Sequence, residues 1–177
     1  MEFCELLTQR QSCRAYDSTR AVAKEDIMAC IKAAGLAPSA CNSQPYHFTV
    51  CTGEFGKAVA KACTGMGMNK FALEVPCTIV VEESAYNATA AAGSKLKKQD
   101  YRSIDIGLAV SQLVLEAQNR GLATCILGWF DEKKLKVLLG TEAHIRLVIA
   151  MGYAKEDDPL RTKNRKPLEQ IADFREE

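Results

Sequence analysis

Arg10, Ser12 and Arg14 alternate near the start of the chain, and Lys163 and Arg165 alternate near its end. In an extended segment alternate residues share one side, so each run aims its polar groups at a single target. A phosphate monoester, with close to two negative charges and three acceptor oxygens, is the natural target. Guanidinium groups meet it with charge-assisted, often bidentate bonds, and a serine hydroxyl fills a remaining position. Between the runs lies Ala37-Pro38-Ser39-Ala40-Cys41-Asn42-Ser43-Gln44-Pro45-Tyr46, dense in turn formers and side-chain amides. Asn42 and Gln44 each carry an acceptor and two donors, a set suited to a flat heteroaromatic ring with carbonyl and N–H edges. The competing use of such amides is to satisfy the backbone of their own turn. Gly128, directly after Ile126-Leu127, allows either close backbone approach to a ligand or a positive φ. Two cationic clamps and a polar loop together point to a phosphorylated, hydrogen-bonding cofactor.

Composition narrows the classes. At 177 residues, with 47% hydrophobic and 25% charged residues, the chain reads as one globular domain. A formal net charge of +1 argues against a sequence-independent grip on nucleic acid. The start, Met-Glu-Phe-Cys-Glu-Leu-Leu, lacks a cationic region followed by an apolar run. No apolar stretch approaches the roughly 18 residues of a bilayer span, so no membrane partner and a cytoplasmic location are expected. Eight cysteines include no C-x-x-C pair, which removes zinc-ribbon and iron–sulfur spacings, so no metal site is expected. Most stand among apolar neighbours as small hydrophobes. His47 and His144 have no ligand or catalytic partner nearby in sequence.

The elements that must position these residues follow from periodicity. A short helix precedes Arg10, and Lys24–Leu36 has Ile27, Cys30, Ile31 and Ala34 at helical spacing. Tyr46–Cys51, Thr78–Val81, Ala123–Leu127 and Ile145–Gly152 read as strands, and Phe55–Cys63 and Asp131–Leu139 as helices. From Ser84 to Asp100 the chain turns small and polar, and is expected to be a loop or lid. Ser103–Arg120 is apolar nearly all round, the pattern of a helix covered on every side. A domain this small rarely surrounds such a helix, so a partner chain is expected to cover part of it. Helices and strands alternate only loosely, which favours an α+β class over a doubly wound sheet. There is no G-x-G-x-x-G, P-loop, G-x-S-x-G or H-E-x-x-H, so Rossmann-type dinucleotide binding and a protein nucleophile are not expected.

Taken in order, these segments resemble the nitroreductase family of FMN-dependent oxidoreductases. The resemblance rests on Arg10–Tyr16, Ala37–Tyr46, Asp105-Ile106-Gly107, Arg120–Gly128, Met151-Gly152-Tyr153 and Arg161–Leu168, and spans nearly the whole chain. It implies a single FMN-binding domain over residues 1–177: a sandwich with a central, mostly antiparallel sheet flanked by helices. It also implies a homodimer through the long apolar helix, with flavin at the subunit interface. By that analogy Arg10, Gln11, Ser12 and Arg14, with Lys163 and Arg165, hold the phosphate and ribityl chain, Gln11 through its backbone. Pro38, Ser39 and Asn42 arrive from the partner subunit, Gln44 is carried over as a further cofactor contact, and Ile126, Leu127 and Gly128 bring backbone to the reactive edge of the ring. The activity implied is ping-pong hydride transfer from NAD(P)H, through flavin, to a nitroaromatic, quinone or similar small acceptor. No protein side chain is assigned a catalytic role. A flavin carrier with little turnover, or a family specialist such as a dehalogenase or flavin-degrading enzyme, are the alternatives.

Overall fold

A computed structural model describes residues 2–176. Strands β1 (Tyr46–Thr52), β2 (Cys77–Glu83), β3 (Ala123–Leu127) and β4 (Ile145–Gly152) form a sheet in the order β1-β2-β4-β3. Every neighbouring pair is antiparallel. Six α-helices accompany them among the described residues: α1 (Phe3–Gln9), α2 (Lys24–Gly35), α3 (Gly53–Ala62), α4 (Ala88–Lys97), α5 (Tyr101–Asn119) and α6 (Glu132–Leu139).

Alternation along the two central strands feeds a core on each face of the sheet. Cys77, Ile79 and Val81 of β2, with Ile149 and Met151 of β4, pack with Ile27, Cys30 and Ala34 of α2 and with Ile106, Val110 and Leu113 of α5. On the opposite face, Val80, Val148 and Ala150 pack with Val59 and Ala60 of α3 and Leu135 of α6. The result is the expected α+β sandwich, helices on both sides of an antiparallel sheet.

One expectation is corrected. Residues 84–100 are not all loop, because Ala88–Lys97 is helical. Its alanines favour helix without making an amphipathic stripe, so no period announced it. The Asn87 side chain caps it by accepting the Ala90 N–H at 2.9 Å. As expected of so small a domain, the chain does not surround α5: Ile104 is 47% and Leu108 42% exposed, on the face opposite Ile106, Val110 and Leu113.

The cysteines behave as small hydrophobes. All eight are free, and only Cys4 and Cys41 are exposed. Burial pushes the Cys63 and Cys77 thiols up to about 12 and those of Cys30 and Cys51 up to about 11. Such thiols stay protonated and inert.

Candidate functional site

The N-terminal run reaches its position by leaning on the free edge of β3. Cys13 N–H donates to the Thr124 carbonyl at 2.9 Å, and Ser12 makes a parallel bridge to Thr124. Cys13 and Tyr16 turn inward to the core, and the Tyr16 hydroxyl donates to the Ala150 carbonyl at 3.3 Å. Arg10, Ser12 and Arg14 are thereby left on the outer side. The tail returns beside them after β4, where Asp17 N–H donates to the Tyr153 carbonyl and Lys155 N–H to the Ala15 carbonyl.

The two runs meet. Arg10, Gln11, Ser12, Arg14, Lys163 and Arg165 line one concavity of about 190 Å³, together with Arg161 and Thr162. Lys163 Nζ donates to the Arg10 carbonyl at 2.8 Å, bridging 153 positions of sequence. Arg161 is neutralised by Asp158, Nη1 to Oδ1 at 2.8 Å. Among the described residues, Arg10, Arg14, Lys163 and Arg165 have no carboxylate within salt-bridge distance. Desolvation first, and then the neighbouring Arg10 and Arg165 charges, push the Lys163 ammonium below its ordinary pKa. Four converging cations without a counter-charge fit a dianionic phosphate, so the residues present suit the phosphate end of FMN.

The polar loop lies elsewhere in the chain. Pro38, Ser39, Asn42 and Gln44 do not line the cationic concavity. A short 3-10 turn, Ala40–Asn42, is tied from two sides. Asp105 of α5 accepts the Ala40 N–H at 3.0 Å, while Asn87 Nδ2 donates to the Cys41 carbonyl and Asn87 N–H to Ser43 Oγ, both at 2.8 Å. Cys41, Asn42 and Gln44 all adopt positive φ, at 51°, 53° and 46°. Non-glycine residues held there mark a backbone constrained by its surroundings, a feature that concentrates at ligand sites. Ser39 Oγ accepts the Gln44 N–H at 3.0 Å, and Gln44 Nε2 donates to Asn42 Oδ1 at 3.0 Å. Within the chain these groups satisfy one another.

At the end of β3 the three predicted residues differ. Leu127 is a core side chain, so only its backbone is available, whereas Ile126 is 46% exposed. Gly128 is not among the glycines with positive φ, which removes that reading and leaves close approach. A Cβ built on Gly128 meets nothing within 4 Å, so the space over it is open. Trp129 is not a core residue: it is exposed, and its Nε1 donates to the Gly65 carbonyl at 3.1 Å. Asn69 Nδ2 fastens the same corner, donating to the carbonyls of Trp129 at 3.0 Å and Cys63 at 3.2 Å. Sequence reasoning gave no role to Arg161 or Asp158 and linked Asp105 to no other residue. The only sequence signal for the first pair was a second cation two residues before Lys163.

Comparison with known proteins gives matches along the chain. The model described as "Nitroreductase family" matches residues 7–67, and one described as "Putative TM nitroreductase" matches residues 79–177, more than half of the chain. A relative from Archaeoglobus fulgidus, named "Putative NADH dehydrogenase/NAD(P)H nitroreductase", is 34% identical, covering 89% of this chain and 88% of that protein. Iodotyrosine deiodinase 1 of Mus musculus is 28% identical over 96% of this chain and 68% of its own length. Among solved structures, a nitroreductase family protein from Streptococcus pneumoniae TIGR4 superposes with a TM-score of 0.81 at 24% identity, covering 98% of this chain and all of that one. A structure described as a "putative nitroreductase in complex with FMN", from Exiguobacterium sibiricum, superposes at 0.80 with 23% identity over 99% of this chain and 98% of that one.

Proposed function

The chain belongs to the nitroreductase family, and from that premise we propose that it is an FMN-dependent NAD(P)H oxidoreductase acting on a small nitroaromatic, quinone or similar acceptor. The observation that carries the reading is the meeting of the two cationic runs, fixed by the 2.8 Å bond from Lys163 to the Arg10 carbonyl. FMN held there would supply the redox chemistry of a ping-pong oxidoreductase, between NAD(P)H as electron donor and the acceptor.

The chain's own residues hold and orient. Arg10, Arg14, Lys163 and Arg165 would neutralise the phosphate, Ser12 would donate its hydroxyl to it, and Gln11 would contribute through its backbone. The backbone of Ile126, Leu127 and Gly128 offers the open approach to the ring edge. Pro38, Ser39, Asn42 and Gln44 act on the ribityl chain and ring of a second copy's flavin. That role explains why this loop is rigidly tied yet lies outside the cationic concavity of its own chain. No side chain is required as nucleophile or general acid.

The working unit in this reading is a cytoplasmic homodimer of one-domain subunits. Its support is the uncovered face of α5, where Ile104, Gly107, Leu108 and Ser111 form an exposed stripe of apolar and small residues at helical spacing. Phe3 and Leu36 lie exposed beside the same helix, lining a concavity with Leu115. A second copy laid on this stripe would cover it. No helix among the described residues is long and apolar enough to cross a membrane.

Titration of the purified protein with FMN, followed by flavin fluorescence and by NADH or NADPH oxidation with a quinone or nitro acceptor, tests the reading. Absence of flavin binding overturns it, and bound flavin that neither nucleotide reduces favours a flavin carrier. The iodotyrosine deiodinase relatives support a second reading, reductive dehalogenation. Halide release from an iodinated tyrosine under reducing conditions distinguishes it.

A further inference from the structure

Past Lys155, the tail makes no main-chain hydrogen bond to the N-terminal run among the described residues. What holds the two together is side chains. The Gln11 amide acts in both directions: Nε2 donates to the Pro159 carbonyl at 3.1 Å, and Oε1 accepts the Arg161 N–H at 3.0 Å. That pairing copies a β-bridge with one side chain in place of a strand, and Pro159 has no N–H of its own to compete. Arg161 returns the contact, its Nη2 donating to the Ser12 carbonyl at 3.0 Å. The Asp158 carboxylate grips the same guanidinium at 2.8 and 3.5 Å, with its side chain only 5% exposed.

We propose that Gln11, Asp158 and Arg161 form a latch that assembles the anion nest and thereby makes this protein select phosphorylated over unphosphorylated flavin. The inference rests on the FMN reading. The three are positioning residues, because their polar groups bond to one another and to backbone. Arg161 carries a neutralised charge, and the phosphate is left to Arg10, Arg14, Lys163 and Arg165. Without the latch, Lys163 and Arg165 lose the register that sets them opposite Arg10 and Arg14. Like charges brought together repel, so the nest needs a fastening that does not itself depend on the anion. A guanidinium paired with the nearly buried Asp158 carboxylate and held against a backbone carbonyl meets that need.

The test compares FMN with riboflavin, which shares the ring and chain but lacks the phosphate. Wild-type protein, Gln11→Ala, Arg161→Ala and Arg161→Lys are titrated with each by fluorescence quenching. The latch predicts that Gln11→Ala and Arg161→Ala weaken FMN binding by about tenfold or more, the worth of the two or more hydrogen bonds that each variant loses. Riboflavin affinity stays within about twofold of wild type on the same grounds. Arg161→Lys recovers part of the loss by keeping the Asp158 pair without the second bond to Ser12. Unchanged FMN affinity in both alanine variants overturns the proposal, and so does an equal loss of both flavins, which marks general loosening. Should Arg161→Ala fail to fold, Gln11→Ala carries the test alone, since it removes only an uncharged amide at the surface. Thermal shift with inorganic phosphate alone gives a second readout: wild type is stabilised and Gln11→Ala is not. Wild type that responds to phosphate but binds no FMN retires the FMN reading and leaves the latch standing. Wild type that binds FMN no better than Gln11→Ala does retires the latch alone.

Discussion

Asp105 accepts the Ala40 N–H at 3.0 Å across 65 positions of sequence, and it does so from the buried face of α5 at 3% exposure. Its Oδ1 ties the polar loop to the helix, while Oδ2 has no hydrogen-bond partner among the described residues. A buried carboxylate with one oxygen unpaired is costly, and here it fixes a turn that itself carries three non-glycine residues at positive φ. Each such residue costs on the order of 1–3 kcal/mol, so the turn persists only while its surroundings enforce it.

Asp105→Ala should therefore release the loop. Flavin affinity is expected to fall about tenfold, the worth of one hydrogen bond to a charged acceptor, with faster proteolysis between residues 38 and 44. Asp105→Asn retains the acceptor and adds a donor, and should stay close to wild type. Limited proteolysis followed by mass spectrometry, alongside flavin titration, reads both effects.

Arg14→Ala should weaken FMN binding by about 1.5–3 kcal/mol, roughly 10- to 100-fold, because one charge-assisted phosphate contact is lost. Among the described residues Arg14 makes only a long 3.4 Å hydrogen bond, to the Ser12 carbonyl, and no ion pair, so thermal stability should barely change. An FMN affinity equal to wild type would show the N-terminal run to be ordinary surface.

Lys163 gives a pH dependence of definite sign. In the free protein its pKa lies below the ordinary lysine value, from desolvation and then from the Arg10 and Arg165 charges. A bound phosphate favours the charged form and raises it again, so binding takes up a proton in the window between the two values. FMN affinity should be full on the acid side of that window and decline as the pH rises through it. Lys163→Arg should shift the decline to higher pH, and isothermal titration in buffers of different ionisation enthalpy should detect the proton uptake.

Gly152→Ala tests the packing that holds the N-terminal run in place. A Cβ there meets Pro76 Cδ at 2.8 Å and Tyr16 Cδ1 at 3.0 Å. Neither a proline ring nor a fully buried tyrosine yields easily, so a loss of about 1–3 kcal/mol is expected. For a chain of this size that lowers the melting temperature by roughly 2–4 °C per kcal/mol.

Gly128→Ala should do the opposite. Its Cβ enters open space in the free chain, so the melting temperature should hold. Flavin binding should weaken if backbone at this position approaches the ring. Unchanged flavin affinity would remove Gly128 from the site.

The sequence by itself determined the parts. Neighbouring residues encode period and propensity, so β3 ends at Leu127 as read, and Ile27, Cys30 and Ala34 form the buried stripe of α2. Residue types also limited the chemistry, since alternating Arg10, Ser12 and Arg14 suit an anion wherever the segment lies. Where local signals were flat they failed: the alanine-rich α4 has propensity without a stripe, and only the Asn87 cap marks its start. Tertiary structure decided what the parts do together. Lys163 faces Arg10 because the Gln11–Tyr16 segment joins the β3 edge and the tail leaves β4 beside it. The same closure exposed the Gln11–Arg161 pairing and left the Asn42 loop outside the concavity that its own chain's cations line. Such pairings join residues about 150 positions apart, and nothing near either partner in the chain encodes them. They exist only once the sheet has closed between its two outer cores.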